Sequence, residues 1–332
     1  MDLLEENMHK SLHKKGLELR DVVPLAFHHT KPRIRRATPA PWKEKPAIIN
    51  LHGLFGSHIM FHSLNRPLMK TFETDIYNVD LRNHGNSPRA QPYDYLTLSK
   101  DIIQMIRDNI YREQPGRPIY LIGFSLGGKV ALLSSLSRQI NVKKCISIDL
   151  PPYELDKVDD MFMQNFELLE KIVKREIKVR RSCPSWKTDI LTMFRELPVN
   201  KCNPNGNNVA LYFANGFLTY KPNNESSSGL ENDYLQYAVP LEYMPDIIAE
   251  IKKWPSATSL NPMMYHTKSQ LPTLFMKGLH SSFIKNDYSL LKTQYPQSSV
   301  LEFDCGHTIL MDYPKESTEA IIKFLSNNKR VQ

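Results

Sequence analysis

The chain has 332 residues, room for one α/β domain with an insertion, and its 41% hydrophobic share makes a packed core feasible. Its formal charge is +8, of which +4 falls in residues 1–45, so the remainder is mildly basic; without a basic stripe bearing base-reading or stacking residues, nucleic-acid binding is excluded as a class, and an anionic small substrate or an import signal explains the charge. The longest apolar runs, such as 118–124, are far below the ~18 residues of a membrane span, and Cys145, Cys183, Cys202 and Cys305 form no CxxC pair, which reads as reduced thiols and not a metal site.

Residues 1–45 read as a basic N-terminal segment that also holds the first strand. The first twenty residues lack the apolar core of a secretory signal. Lys10, Lys14, Lys15 and Arg20, then Arg33, Arg35 and Arg36, fit a mitochondrial presequence, whereas Asp2, Glu5 and Glu6 run against one. A presequence and a plain basic N-terminus both stay open. The Pro-rich stretch 31–46 reads as a loop.

From residue 47 onward, short apolar runs alternate with amphipathic stretches. Runs 47–51, 75–80, 119–123 and 144–150 read as buried strands, and 59–72, 96–112 and 125–139 as helices. This alternation predicts a mostly parallel sheet with helices on both faces, since strands buried on both sides stay apolar throughout. After Asp149 the rhythm breaks. Within 161–175, Phe162, Phe166, Leu169 and Val173 fall on one helical face, while 201–208 and 221–232 are rich in Asn, Ser, Gly and Pro and read as loops. Alternation resumes with strands at 271–277 and 299–303 and helices at 287–295 and 314–327. The expected organisation is a core of 46–151 and 270–328, interrupted by a lid at 152–269. Lys171, Lys174, Arg175 and Lys178 lie on one face of the lid helix; that spacing suits phosphates, but a solvated face explains it as well. No internal repeat is present in the sequence.

The strongest chemical signal is Gly123-Phe124-Ser125-Leu126-Gly127, which ends one strand and opens a helix. That strand–turn–helix setting is the nucleophile elbow of the α/β-hydrolase fold. The turn demands small flanking residues, and the helix N-terminus favours a developing anion. His52-Gly53-Leu54-Phe55-Gly56 follows the strand 47–51, where this fold places an oxyanion loop. The expected donors are the N–H groups of Leu54 and Leu126, each able to contribute ~3–4 kcal/mol to a transition state. His52 precedes the serine and reads as a structural turn histidine. The segment 80–88 reads as a tied-down wall loop, against the alternatives of an Asp80–Arg82 pair or a His84 base.

The fold's chain order of serine, acid and histidine leaves His266, His280 and His307 as bases. His307, in the loop between the last strand and last helix, is the expected general base and acid. A carboxylate must hold its tautomer. The usual place, after the next-to-last strand, reads Lys277-Gly278-Leu279-His280 and has none. Asp149, one strand earlier, is the expected acid, with Asp287 and Asp304 as rivals.

With these residues in view, the chain resembles the fungal ethanol (alcohol) acetyltransferase family of the α/β-hydrolase superfamily and its animal mitochondrial abhydrolase relatives. The matching pieces are Asn50 to Ser57, Asp80 to Pro88, Gly123 to Lys129, Ser147 to Pro152 and Cys305-Gly306-His307. The resemblance implies a triad of Ser125, Asp149 and His307, acetyl transfer from acetyl-CoA to ethanol, and a mitochondrial address. It implies no cofactor, acetyl-CoA being a substrate, and partners that are small molecules: acyl-CoA, a short alcohol and short esters. A plain esterase or thioesterase would carry the same triad, so the motifs do not separate the two. The HxxxD signature of the unrelated acyltransferase superfamily is missing, since no histidine is followed four positions on by aspartate. A non-enzymatic binding protein on this fold is the third reading.

Overall fold

The computed structural model describes residues 22–32, 45–220, 233–244 and 246–327. Residues 1–21 and 33–44, with the acidic start, the basic residues of the presequence reading and most of the loop reading at 31–46, and the loop reading at 221–232 lie outside the described residues. Seven strands form one sheet: β1 (Phe27–Thr30), β2 (Ala47–Leu51), β3 (Ile76–Val79), β4 (Ile119–Phe124), β5 (Val142–Ile148), β6 (Thr273–Gly278) and β7 (Ser298–Phe303). Their order across the sheet is β1-β3-β2-β4-β5-β6-β7. β1 pairs antiparallel with β3, and every other pairing is parallel. β2, β3, β4 and β6 are buried at every position, which is why their sequences show no polar alternation. The edge strand β7 is instead exposed or half-buried from Ser298 to Glu302 and buried only at Phe303.

In the first half, α1 (His62–Phe72), α2 (Tyr95–Ile106) and α3 (Leu126–Ser135) cover the sheet. The segment between β5 and β6 adds α4 (Asp160–Val173), α5 (Trp186–Arg195), α6 (Pro198–Lys201), α7 (Gly206–Thr219) and α8 (Ile247–Lys252). After β6 come α9 (Ser289–Gln294), α10 (Ile309–Asp312) and α11 (Pro314–Ser326). One face of the sheet packs Ile49, Leu121 and Cys145 against α2 and α3 and continues into the cap through Phe166, Phe194, Phe213 and Phe217. The other packs Ile48, Ile122 and Ile146 against Leu64 and Leu68 of α1 and Ile321 and Leu325 of α11.

Several helices differ from their sequence reading. The helix expected at 59–72 begins as a 3-10 turn, His58–Phe61, and the one expected over 96–112 gives way to a π-turn at Arg107–Tyr111. That expected over 125–139 stops at Ser135. The stretch 201–208 is not one loop, because Lys201 ends α6 and Gly206 opens α7. Asparagine and glycine there read as loop, but Val209, Ala210, Phe213, Ala214 and Phe217 form a buried stripe, and packing overrides propensity.

Two lysines tie helix ends to this frame. Lys129 of α3 is fully buried, and its Nζ donates to the carbonyls of Ile251, Lys252 and Lys253 at 3.2, 3.3 and 2.7 Å, closing the C-terminus of α8. Lys144 of β5 does the same for α11, donating to Phe324, Leu325 and Asn327 at 3.1, 2.8 and 2.6 Å. Such carbonyls have no partner within their own helix, and a cation suits the negative end of the helix dipole. All four cysteines are free. Among the described residues, no helix is long and apolar enough to cross a membrane, and no His/Cys/Asp/Glu group is arranged to hold a metal ion.

Candidate active site

The site lies where β4, β5, β6 and β7 end. Ser125 follows β4 directly and adopts φ +52°, ψ −124°, a conformation that costs a non-glycine residue of order 1–3 kcal/mol. The surrounding backbone holds it there. Its N–H donates to the Ile148 carbonyl at 2.8 Å, and its own carbonyl accepts from Gly128 at 2.7 Å and Lys129 at 3.3 Å. The flanking glycines are obligatory for space. A Cβ on Gly123 would collide with the Gly127 carbonyl, and one on Gly127 with the carbonyls of Leu51 and His52.

Three side chains, far apart in sequence, meet at this edge. Ser125 Oγ lies 2.8 Å from His307 Nε2, and His307 Nδ1 lies 2.7 Å from Asp149 Oδ2. A carboxylate can only accept, so Nδ1 carries the proton and Nε2 is left to accept from the serine hydroxyl. The other carboxylate oxygen, Oδ1, accepts the Gly278 N–H at 3.0 Å. Asp149 is itself held at φ +56°, with its N–H on the Met276 carbonyl at 2.8 Å. Burial pushes its carboxyl above the usual range, opposed by the hydrogen bonds from His307, Ser281 and Gly278. The imidazole of His307 sits between the rings of Phe124 and Phe283, with centroids at 5.0 and 4.6 Å, which limits its rotation. A hydroxyl, an imidazole and a buried carboxylate in this chain can deliver an oxygen nucleophile and shuttle its proton.

The rivals are engaged elsewhere. Asp304 pairs with His280 at 2.8 Å, both exposed. The Asp287 carboxylate accepts from the Ser289 N–H at 3.0 Å, at the start of α9. His266 lies in the cap, its N–H on the Leu136 carbonyl. Arg82 is bound to Asp101 through two contacts of 2.6 and 2.8 Å, not to Asp80, and both partners are buried. Asp80 instead accepts from the N–H groups of His58 and Asn86 at 2.6 and 3.0 Å. The segment 80–88 is a tied-down loop.

Leu126 opens α3 directly after the serine, and Leu54 lies in the loop after β2. Neither N–H donates to another group among the described residues. The peptide linking Leu54 to Phe55 is clamped at both ends. Its N–H, on Phe55, donates to His84 Nε2 at 3.2 Å, and its carbonyl, on Leu54, accepts from the hydroxyl of Tyr212. His84 Nδ1 lies 2.9 Å from the Arg82 carbonyl, so that nitrogen carries the proton and Nε2 is the acceptor. His52 repeats the arrangement, with Nδ1 2.7 Å from the Gly53 carbonyl and Nε2 accepting from Leu81 at 3.0 Å. Burial lowers the pKa of both histidines, that of His84 well below its ordinary value.

Tyr212 comes from α7 of the cap, and sequence reasoning did not single it out. Its ring stands edge-on to Phe124 at 6.3 Å and to Phe213 at 5.7 Å. The cap also lays Phe162, Phe166, Phe213 and Tyr237 around Phe55, with centroids 5.5–6.3 Å away. The available signal was a run of aromatics in 212–217, masked by the asparagines and glycines beside them.

Residues 46–314 match a family model described as the α/β-hydrolase fold. Among curated relatives, a probable alcohol acetyltransferase of Wickerhamomyces anomalus is 28% identical over 96% of this chain and 89% of its own length. Ethanol acetyltransferase 1 of Cyberlindnera jadinii is 26% identical over 93% of this chain and 88% of its own. A probable alcohol acetyltransferase of Saccharomyces cerevisiae is 28% identical over 86% and 79%. Among solved structures, a marine microorganism esterase superposes with a TM-score of 0.68 over 91% of this chain and 99% of its own, at 20% identity, a likeness of fold.

Proposed function

Since the chain belongs to the α/β-hydrolase fold family, we propose that it is a serine-dependent alcohol O-acetyltransferase, passing an acetyl group from acetyl-CoA through Ser125 to ethanol or a similar short alcohol. The observation that carries the reading is the unbroken chain Asp149–His307–Ser125, with bonds of 2.7 and 2.8 Å. The relatives named alcohol or ethanol acetyltransferase, which align over most of the chain, support the choice of acceptor.

His307 Nε2 takes the Ser125 proton as Oγ attacks the thioester carbonyl carbon. The oxyanion is met by the N–H groups of Leu54 and Leu126. The C–S bond breaks, and His307 returns the proton to the departing thiolate, leaving an acetyl-enzyme and coenzyme A. An alcohol then gives its proton to His307 and attacks the acetyl carbon. The C–O bond to Ser125 breaks, the serine regains its proton, and an acetate ester leaves. Asp149 stabilises the imidazolium in both halves without accepting its proton. Water in place of the alcohol yields acetate, the thioesterase and esterase side reaction. The aromatic wall of Phe55, Phe162, Phe166 and Phe213 favours the alcohol by keeping the acyl-enzyme dry. The steps need no cofactor. A mitochondrial address belongs to the same reading, supported by the basic residues Lys10 to Arg36.

The test is product analysis of the purified protein with acetyl-CoA, with and without ethanol. Ethyl acetate that requires ethanol and disappears in Ser125→Ala is the expected result. Acetate as the sole product in the presence of ethanol would overturn the transferase reading, and full activity in Ser125→Ala would overturn the site.

A further inference from the structure

Residues 171–187 hold seven Lys or Arg and one Glu, a local excess of six on a chain whose total is +8. Lys171, Lys174, Arg175, Lys178, Arg180 and Lys187 are exposed, and Arg181 is half-buried. The arginines are held against rings. Arg175 and Arg180 lie over Tyr234 at 5.0 and 5.7 Å, and Arg181 lies over Trp186 and Tyr220 at 5.3 and 5.1 Å. Arg181 also donates from Nη2 to the Tyr220 carbonyl at 3.4 Å, which leaves its other N–H groups, and a planar guanidinium can meet a phosphate through two parallel bonds. Nearby carboxylates have partners of their own, although the charge of Asp233 is also felt by Arg180. Glu170 pairs with Lys174 at 3.0 Å, Asp233 accepts from Ser182, and Asp189 accepts from Ser185. Among the described residues, Lys174 is the one cation of the seven that is ion-paired.

Two cap helices connect this cluster to the catalytic edge. α4 lays Phe162 and Phe166 on Phe55 and is capped by Lys174, so its basic end lies ~18 Å along the helix from Phe162. α7 places Tyr212 on Leu54 and is followed directly by Tyr220, whose ring lies by Arg181, ~12 Å further along. A coenzyme A thioester has the matching shape. Its acetyl group must reach Ser125, while its phosphates sit at the far end of an extended, uncharged pantetheine arm.

We propose that Arg175, Lys178, Arg180 and Arg181 form the subsite for the phosphates of the coenzyme A donor. This rests on the acetyl-CoA reading above and adds the part of the chain that selects a phosphorylated thioester over a plain ester.

The test compares the intact protein with Arg175→Ala/Arg180→Ala and with Lys178→Glu, whose side chain is exposed. Each is assayed with acetyl-CoA and with p-nitrophenyl acetate, which carries no phosphate. The double variant should raise KM for acetyl-CoA about tenfold, the scale of losing charge-assisted bonds, with kcat and both constants for the nitrophenyl ester within about twofold. Lys178→Glu should shift KM the same way, and 3′-phosphoadenosine 5′-diphosphate should compete with acetyl-CoA in the wild type and more weakly in the variants. An unchanged KM for acetyl-CoA in both variants would overturn the subsite, as would variants that differ from wild type only in binding anionic phospholipid vesicles. Calorimetry with coenzyme A separates the two readings: no binding to the wild type removes the acetyl-CoA donor itself, whereas equal binding to wild type and variants removes only this subsite.

Discussion

Ser125 and Tyr212 belong to the same site but to different layers, one carried by the sheet and the other by the cap. The sheet side is placed by main chain. Ser125 and Asp149 each follow the end of a strand, each has positive φ, and each N–H is bound to the carbonyl of a neighbouring strand. The cap side is placed by rings and one hydroxyl. Main-chain bonding in a parallel sheet leaves little slack, so it suits groups that must meet within hydrogen-bond distance. Side-chain packing in the cap can change without dismantling the sheet, so it suits the walls that choose a substrate. Loss of a sheet-side group should therefore abolish turnover, and loss of a cap-side group should lower it.

Asp149→Asn makes the sharpest case. The amide keeps the volume and an acceptor for Gly278, but it no longer fixes the His307 proton on Nδ1. A loss of about 10⁴-fold in kcat is expected, with the thermal midpoint little changed. A variant within tenfold of wild type would mean that Asp149 is not the acid and that the division between sheet and cap is misdrawn.

Tyr212→Phe removes a single oxygen and releases the Leu54 carbonyl. The proposed donor, the Leu54 N–H, remains, so kcat should fall roughly tenfold, short of the ~10²-fold loss of a whole oxyanion donor. KM for a short ester should hold, and labelling of Ser125 by a fluorophosphonate should slow in step with kcat. Packing damage alone would instead lower the thermal midpoint and leave the labelling rate unchanged. A loss as deep as that of Asp149→Asn would break the comparison from the other side.

The same division explains what was legible in the sequence. The elbow was readable because Gly123 and Gly127 are dictated by carbonyls pressed against them, a local constraint with a local signature. Asp149 was readable because it directly follows a strand, buried at every position but Lys143, whose end fixes where the carboxylate must stand. In the cap, α7 begins Gly-Asn-Asn and carries Gly216 against the Tyr237 ring. Those residues report packing between distant segments, which no local pattern reveals. The Tyr212 hydroxyl is legible only once Leu54, 158 positions away in sequence, has been brought to it.

In the loops after β2 and β3 lie His52 and His84, with ring centroids 4.9 Å apart. Each gives one N–H to a carbonyl and takes one N–H from the backbone, so each works only when neutral. Burial lowers both pKa values below the ordinary 6.5, His84 the further of the two. When pH falls below about 6.5, the unfolded chain takes up these protons before the folded one does. Stability should therefore be full above that pH and decline as acid is added, by at most ~1.4 kcal/mol per pH unit for each proton. His84→Gln keeps a donor and an acceptor but does not titrate. Its thermal midpoint should fall less than that of the wild type between pH 8 and pH 5.5, while His52 retains its share of the slope. Parallel curves for the two proteins would show that the loop carrying the proposed donor Leu54 does not depend on a neutral imidazole, and that its position is set by the sheet alone.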